Sequence, residues 1–136
     1  MTAVDRFRSA FTAGDAAALD GAFAEDAVLH SPAVITTEYR GRELVTRIIG
    51  LAMRTLSDVR FTDELHGDAG GSHALVLDAA VGEERVQGIL YLTTGADGLI
   101  TGLTFMLRPL RGVQAFVETM LGFGAQPALD HAEGVR

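Results

Sequence analysis

His30 and Ser31 are the first neighbours in this chain whose side chains could do chemistry together. They follow a short β-favouring run and precede Pro32, a residue that suits the end or the edge of a strand. Successive side chains of a strand point to opposite faces, so a base at 30 and a nucleophile at 31 cannot meet unless the strand breaks between them. No G-x-S-x-G motif offers another geometry. We therefore predict no serine hydrolase; His30 either reaches the rim of a cavity or bonds to a backbone carbonyl.

Asp78 is the candidate general acid or base, because it lies among aliphatic residues in the middle of a predicted strand. A lone ionised carboxylate is strongly disfavoured in such surroundings, which is the situation of many catalytic carboxyl groups. Two other interpretations are an Asp bonded to a buried Tyr, Arg or water, and an Asp that a β-bulge turns outward. Asp63 is a weaker candidate, since it could simply cap its strand or face solvent.

His66 and His73 flank the turn sequence GDAGGS, which predicts a hairpin that sets them opposite each other. Such a pair could hold an adventitious metal ion, but a zinc site needs a third and a fourth ligand and supporting hydrogen bonds. We expect no metal site and no cofactor. The same hairpin register puts Asp78 on one face of the sheet with Phe61, Asp63 and Val76.

Composition excludes several classes of function. The 136 residues carry a net charge of −7, so the basic stripe that nucleic acids require and a polybasic membrane patch are both missing. The chain has no cysteine, which excludes disulfides, thiolate zinc sites and a cysteine nucleophile. No stretch has the apolar length of a membrane span or of a signal peptide, so we expect a cytoplasmic protein that binds neither nucleic acid nor membrane.

Hydrophobic periodicity predicts one α+β domain over residues 1–123 and a flexible tail over 124–136. Two short helices open the chain and are followed by a strand that ends near Ser31. A third helix over 42–56 precedes an antiparallel meander of four strands, and Pro109 begins a last helix. The predicted meander strands are Val59–His66, His73–Val81, Glu84–Thr93 and Leu99–Arg108.

This order of elements resembles the nuclear transport factor 2-like superfamily, including its SnoaL-like and ketosteroid isomerase-like branches. The segments AGDAAALDGAFAEDAVLHSP, YRGRELVTRII and VQGILYLTTGADGLITGLTFMLRPL look like parts of that superfamily and are similar to a group of uncharacterised bacterial members. The resemblance implies a cone-shaped half-barrel, in which a curved antiparallel sheet wraps around a long helix. This scaffold supports many functions, so the resemblance is informative about fold and nearly silent about activity.

The catalytic residues of ketosteroid isomerases are not matched here. By resemblance, Phe7 replaces the oxyanion-binding Tyr, Ser31 replaces the proton-shuttling Asp, and Leu90 replaces the second acid. The acid that SnoaL-type cyclases use would fall near Phe105. Because Phe and Leu donate no hydrogen bond and an unactivated Ser takes no proton, we expect no ketosteroid isomerisation by that mechanism.

The resemblance also indicates which side chains face the inside of the cone. It implies an apolar cavity with few polar groups and turns Ser31 toward it, with Tyr39 at the mouth, either as a hydrogen-bond donor or as packing. Gly88 would leave room for a ligand beside Asp78. The predicted ligand-binding residues are Phe7, Tyr39, Phe61, Asp63, Val76, Gly88, Leu90, Leu103 and Phe105, and the catalytic candidates are Asp78, Ser31 and His30.

Our expectation is a protein that binds a small, mostly apolar molecule, steroid-like or polyketide-like, with or without proton-transfer chemistry. The alternative is a non-catalytic binding or dimerisation module. The opposite face of the predicted sheet is also apolar, and an exposed apolar face of that size predicts a homodimer through the sheet. The residues assigned to this outward face are Leu75, Leu77, Ile89, Tyr91, Ile100 and Met106.

Overall fold

The computed structural model describes residues 1–32 and 38–123 of the chain. It has the predicted α+β architecture, with three α-helices against one face of a curved six-stranded sheet that does not close into a barrel. The helices are α1 (Ala3–Ala13), α2 (Arg42–Thr55) and α3 (Leu110–Gly122), and the strands are β1 (Phe23–His30), β2 (Tyr39–Arg40), β3 (Ser57–His66), β4 (Ser72–Val81), β5 (Glu84–Thr94) and β6 (Ile100–Arg108).

Helix α1 begins and ends with clear local signals. The Thr2 hydroxyl accepts a hydrogen bond from the Asp5 amide, and the Asp5 carboxylate accepts one from the Thr2 amide. Hydrogen bonding of the Asp5 carboxylate to Thr2, to its side chain first and then to its backbone amide, lowers the pKa of Asp5. Gly14 ends the helix with φ of 68°, a conformation that costs glycine little. The predicted second helix is a single 3₁₀ turn over Ala16–Leu19, and the Asp15 side chain caps it by accepting a hydrogen bond from the Ala17 amide.

The sheet has the strand order β2-β1-β6-β5-β4-β3. Strands β3 to β6 form the predicted antiparallel meander. Strand β1 joins β6 in parallel, and the two-residue strand β2, which the sequence did not predict, pairs with the end of β1. The sheet is therefore mixed rather than antiparallel throughout. The predicted tail over 124–136 lies outside the described residues.

A register shift in β3 corrects the predicted faces of β4. His66 pairs with His73 and Asp63 with Val76, as expected, but Phe61 pairs with Leu77 because of an irregularity between Phe61 and Asp63. Each strand then keeps its alternation, so Leu77 and its neighbours two residues away point to the helices. Leu75, Leu77 and Ala79 are fully buried, whereas Val76 and Asp78 are half-exposed. The predicted inward placement of Asp63, Val76 and Asp78 was wrong.

The core lies between the three helices and the inner face of the sheet. Predicted inward residues of β5 and β6 are there, with Leu90 and Leu103 buried. Aromatic rings fill the centre, where Phe7 stacks on Phe11 with centroids 5.6 Å apart and Phe11 meets the edge of Phe61 at 6.1 Å. Within residues 1–32 and 38–123, no helix is long and apolar enough to cross a membrane.

Candidate functional site

A small cavity lies inside the domain between α2, α3 and the sheet. Its volume is about 20 Å³, which is room for little more than a water molecule. Its wall is apolar except for one hydroxyl-bearing residue, Ser31, at the end of β1. The lining residues are Leu29, Ser31, Pro32, Ile48, Ile49, Ala52, Phe105, Phe116 and Met120.

Two of the predicted site residues, Ser31 and Phe105, come together on this wall although 74 positions separate them. The parallel pairing of β1 with β6 explains why, since it sets Leu29 opposite Leu103 and His30 opposite Thr104. Five lining residues from the helices were not assigned to the site: Ile48, Ile49, Ala52, Phe116 and Met120. Their helical periodicity was recognisable, but it predicts only burial and not which buried residues border a void.

Tyr39 carries a buried polar atom of the interior. The residue is 1% exposed and pairs with Leu29 of the cavity wall, on the same face of the sheet. Its hydroxyl is buried and has no hydrogen-bond partner among the described residues. Burial raises the pKa of Tyr39 above its usual 10.0. The phenol is therefore a neutral hydrogen-bond donor held in apolar surroundings, and not at the mouth of a cavity.

Asp78 lies in a different place, on the outer face of the sheet. It pairs with Arg60 on β3 and Gln87 on β5, so polar residues, one of them an arginine, flank it in the sheet. An open groove of about 350 Å³ runs beside it, bordered also by Arg85 and Arg108. The outward turn by a β-bulge is the interpretation that the geometry supports, and solvent and arginines surround this carboxyl group rather than aliphatic side chains.

His30 also faces outward, although its chain neighbours Leu29 and Ser31 line the cavity. Its Nδ1 lies 3.3 Å from the Thr104 hydroxyl and its Nε2 lies 3.3 Å from a carboxylate oxygen of Glu38. The partners are side chains and not the backbone carbonyl that the sequence suggested. Glu38 also binds Arg40, with Oε2 2.5 Å from the guanidinium, so His30 belongs to a polar surface cluster. Ser31 and His30 do not meet as nucleophile and base.

The interior is filled where the ligand was expected. Phe7 and Leu90 are fully buried by packing. A Cβ on Gly88 would lie 2.9 Å from the Phe105 ring, so the phenyl group, and not a void, occupies the space beside this glycine. Asp63 is exposed and accepts a hydrogen bond from the Glu64 amide, the local role expected for it as an alternative.

Comparison with known proteins identifies the family. The sequence model of the SnoaL-like domain matches residues 4–106. This chain belongs to the SnoaL-like domain family. The resemblance to the nuclear transport factor 2-like superfamily is thereby confirmed. No curated protein matches the chain.

Solved structures of the same fold cover nearly the whole SnoaL-like chain. A steroid delta-isomerase from Pseudomonas aeruginosa is 27% identical, with a TM-score of 0.86 over 93% of this chain and 92% of that one. An uncharacterised protein from Silicibacter pomeroyi is 24% identical, with a TM-score of 0.82 over 88% and 83% of the two chains. A protein of ketosteroid isomerase-like fold from Catenulispora acidiphila, in complex with trimethylamine, is 19% identical, with a TM-score of 0.61 over 82% and 88%.

Proposed function

We propose that this protein binds a small, mostly apolar molecule with one hydrogen-bond acceptor in the interior between α2, α3 and the sheet. The observation that carries the proposal is the buried Tyr39 hydroxyl without a partner among the described residues, on the sheet face that also forms the cavity wall. A buried donor left unpaired costs about 1–3 kcal/mol. A ketone or ester oxygen from a ligand would satisfy it.

The size of the cavity limits what enters without rearrangement. Ligand pockets usually measure about 300–1,000 Å³, far more than the cavity between α2 and α3. Even a small ligand therefore enters only if side chains of the wall, such as Phe116 and Met120 on α3, move aside, and a steroid-like or polyketide-like molecule requires a larger movement. The trimethylamine complex of the Catenulispora acidiphila protein supports binding of a very small molecule by this fold.

The same geometry favours binding over proton-transfer chemistry at Asp78. That carboxyl group lies on the face of the sheet opposite to the cavity, beside Gln87. If a reaction takes place in the cavity, the hydroxyl groups nearest to hand are those of Ser31, on the wall, and Tyr39, which pairs with Leu29 of the wall. Their hydroxyl groups suit hydrogen bonding to a carbonyl better than proton abstraction, because neither is acidic near neutral pH.

The test uses two probes that differ in the acceptor. Cyclohexanone and methylcyclohexane have similar apolar rings, but only the ketone can accept a hydrogen bond. We expect saturation-transfer nuclear magnetic resonance to show tighter binding of cyclohexanone. Tyr39→Phe should remove that preference, whereas Tyr91→Phe, on the outer face, should keep it. No binding of either probe, or an unchanged preference in Tyr39→Phe, would overturn the proposal. Native mass spectrometry of freshly purified protein would add the identity of any retained ligand.

We further propose that two copies associate through the outer face of the sheet. An outer apolar patch there consists of Leu65, Val76, Ile89, Tyr91 and Met106. Leu65 on β3 is 53% exposed, Tyr91 on β5 39% and Met106 on β6 48%, and exposed apolar side chains that extend across a sheet in this way are typical of an interface. Three of the residues predicted for this face, Leu75, Leu77 and Ile100, are instead fully buried in the core. Ile89, Tyr91 and Met106 remain on it.

The rim of the outer apolar patch supports a second copy as the partner. Val76, Ile89 and Met106 lie side by side across three strands, and the next row toward the end of the sheet is Asp78, Gln87 and Arg108. A row that contains both an acid and a base is self-complementary when a twofold axis turns it against itself. Polar rims around apolar centres are typical of protein interfaces.

A further inference from the structure

The two histidines at the β3–β4 hairpin touch each other through the same ring nitrogen. His66 Nδ1 lies 2.8 Å from His73 Nδ1, and the ring planes are nearly perpendicular. Glu64 pairs with the buried Leu75, so both side chains face the helices. His66 and His73 each lie two positions nearer to the hairpin turn on the same strands and therefore face the same way. The contact is nevertheless open to solvent, because the His66 side chain is 53% exposed.

A carboxylate orients the His66 ring from its other nitrogen. His66 Nε2 lies 2.9 Å from Glu64 Oε2, and the other Glu64 oxygen accepts a hydrogen bond from Arg8 on α1. A carboxylate can only accept, so the proton of the neutral ring lies on Nε2 and the Nδ1 lone pair points to His73. A carboxylate that accepts the N–H opposite to the ligating nitrogen is the usual support of a metal-bound histidine.

The distance between the two nitrogens is compatible with one coordination geometry. Two ligands about 2.0 Å from an ion are about 2.8 Å apart when they are at right angles, and about 3.3 Å apart in a tetrahedron. In this structure the 2.8 Å contact is a hydrogen bond between the two rings, and its length is close to the separation that neighbouring positions of a square-planar or tetragonal centre require, so the rings need only rotate to face one ion. Cu(II) and Ni(II) favour such centres with nitrogen and oxygen ligands.

We propose that His66 Nδ1 and His73 Nδ1 bind one Cu(II) or Ni(II) ion, with water at the remaining positions and Glu64 as the positioning residue. His73 moves its proton from Nδ1 to Nε2 when the ion binds, so the neutral pair keeps its protons. In the described residues no group of three or more His, Cys, Asp or Glu side chains is arranged for a metal, which is why solvent completes this site. Two protein ligands predict modest affinity and rapid exchange of the ion.

The test titrates the full chain with Cu(II) and follows the ion by electron paramagnetic resonance. We expect one tetragonal site with two imidazole nitrogens. His66→Ala and His73→Ala should each weaken binding at least tenfold and remove the two-nitrogen signal, and the double variant should be little worse than either. Glu64→Gln should weaken binding by about tenfold while keeping both nitrogens. His30→Ala, a surface histidine on the other face, is the matched control and should bind like wild type.

Two results would overturn the proposal. One is a wild-type spectrum with fewer than two imidazole nitrogens, and the other is equal Cu(II) affinity in wild type and the His66→Ala, His73→Ala double variant. Circular dichroism of each variant distinguishes loss of the ligand from loss of the fold, because both histidines are partly exposed and their replacement should leave the spectrum unchanged.

Discussion

Phe61 lies directly opposite Leu77, and both side chains point to the helices. The pair connects the sheet to α1, since the edge of the Phe61 ring meets the Phe11 ring. Nearer the hairpin, Asp63 lies opposite Val76. Strand β3 therefore has one additional residue, Thr62, between two positions that pair with successive residues of β4. Such a bulge reverses the face of every residue beyond it on one strand relative to the other. The bulge accounts for the burial of Leu77 and for the partial exposure of its neighbour Asp78.

The first prediction compares these neighbours. Leu77→Ala should lower the free energy of unfolding by about 2–5 kcal/mol, because Leu77 is fully buried and its removal leaves a void. Asp78→Ala should change it by less than about 1 kcal/mol, as expected for a half-exposed side chain. Urea denaturation monitored by circular dichroism measures both. Equal losses in the two variants would contradict the assigned faces.

The sequence was sufficient for most elements of this fold because their periodicity is strong. In β5 the stretch of one face with Val86, Gly88, Leu90 and Leu92 has no polar side chain, whereas Arg85, Gln87 and Thr93 interrupt the other face. The position of every inward residue there could be read from alternation alone. The helix predicted over 42–56 ends one residue earlier in the structure.

The faces of β4 could not be predicted in the same way, because both are apolar. Ala74 and Val76 compete with Leu75 and Leu77, and alternation cannot choose between two apolar rows. The register of the hairpin would have shown which row of β4 is buried, but a bulge at Thr62 has no sequence signal of its own. Asp58, with φ of 53°, marks a second irregularity of the same strand that an ordinary residue type conceals.

The candidate site was only partly predictable for a related reason. Ser31 and Phe105 could be placed by resemblance, since they lie on strands whose order the superfamily shares. The Tyr39 hydroxyl without a partner among the described residues could not be predicted, because the lack of a partner depends on every side chain packed around it. The close contact of His66 with His73 follows from the hairpin register, but the support from Glu64 depends on the bulge that turns Glu64 inward.

The second prediction concerns ketosteroid isomerisation. Despite 27% identity to a steroid delta-isomerase, we expect no turnover of a Δ5-3-ketosteroid above the rate in buffer. Phe7 and Leu90 offer no hydrogen bond to a developing enolate, and binding alone does not lower the barrier. Absorbance of the conjugated product measures the rate, with an authentic steroid isomerase as the positive control. Isomerisation near the rate of that control would show that other residues replace the missing ones.

The third prediction concerns the proposed dimer. Sedimentation equilibrium at micromolar concentration should give about twice the 14.4 kDa of one chain. Ile89→Glu combined with Tyr91→Glu should yield monomer or aggregate, because each subunit would bring two charges into a dry interface. Thr12→Glu, on the exposed side of α1, is a control that should leave the dimer intact. A monomeric wild-type protein would refute the interface.

The fourth prediction concerns Tyr39 and alkaline pH. Burial raises the pKa of this phenol above its ordinary 10.0, so the unfolded chain releases the proton at a lower pH than the folded one. Its contribution to stability is therefore fully present below pH 10 and is lost as the pH rises through the folded pKa. Tyr39→Phe cannot lose a proton there, and it also removes the cost of a buried hydroxyl that has no partner among the described residues. We expect this variant to be at least as stable as wild type at pH 7 and to lose less stability between pH 9 and pH 11.5, as measured by urea denaturation at each pH.

Tyr91→Phe controls for the other tyrosine, which is 39% exposed, and should follow the wild-type curve. If Tyr39→Phe instead lost more than about 1 kcal/mol at pH 7, the hydroxyl would have a partner in solution. The proposed contact with a ligand carbonyl would then have no free donor to make it.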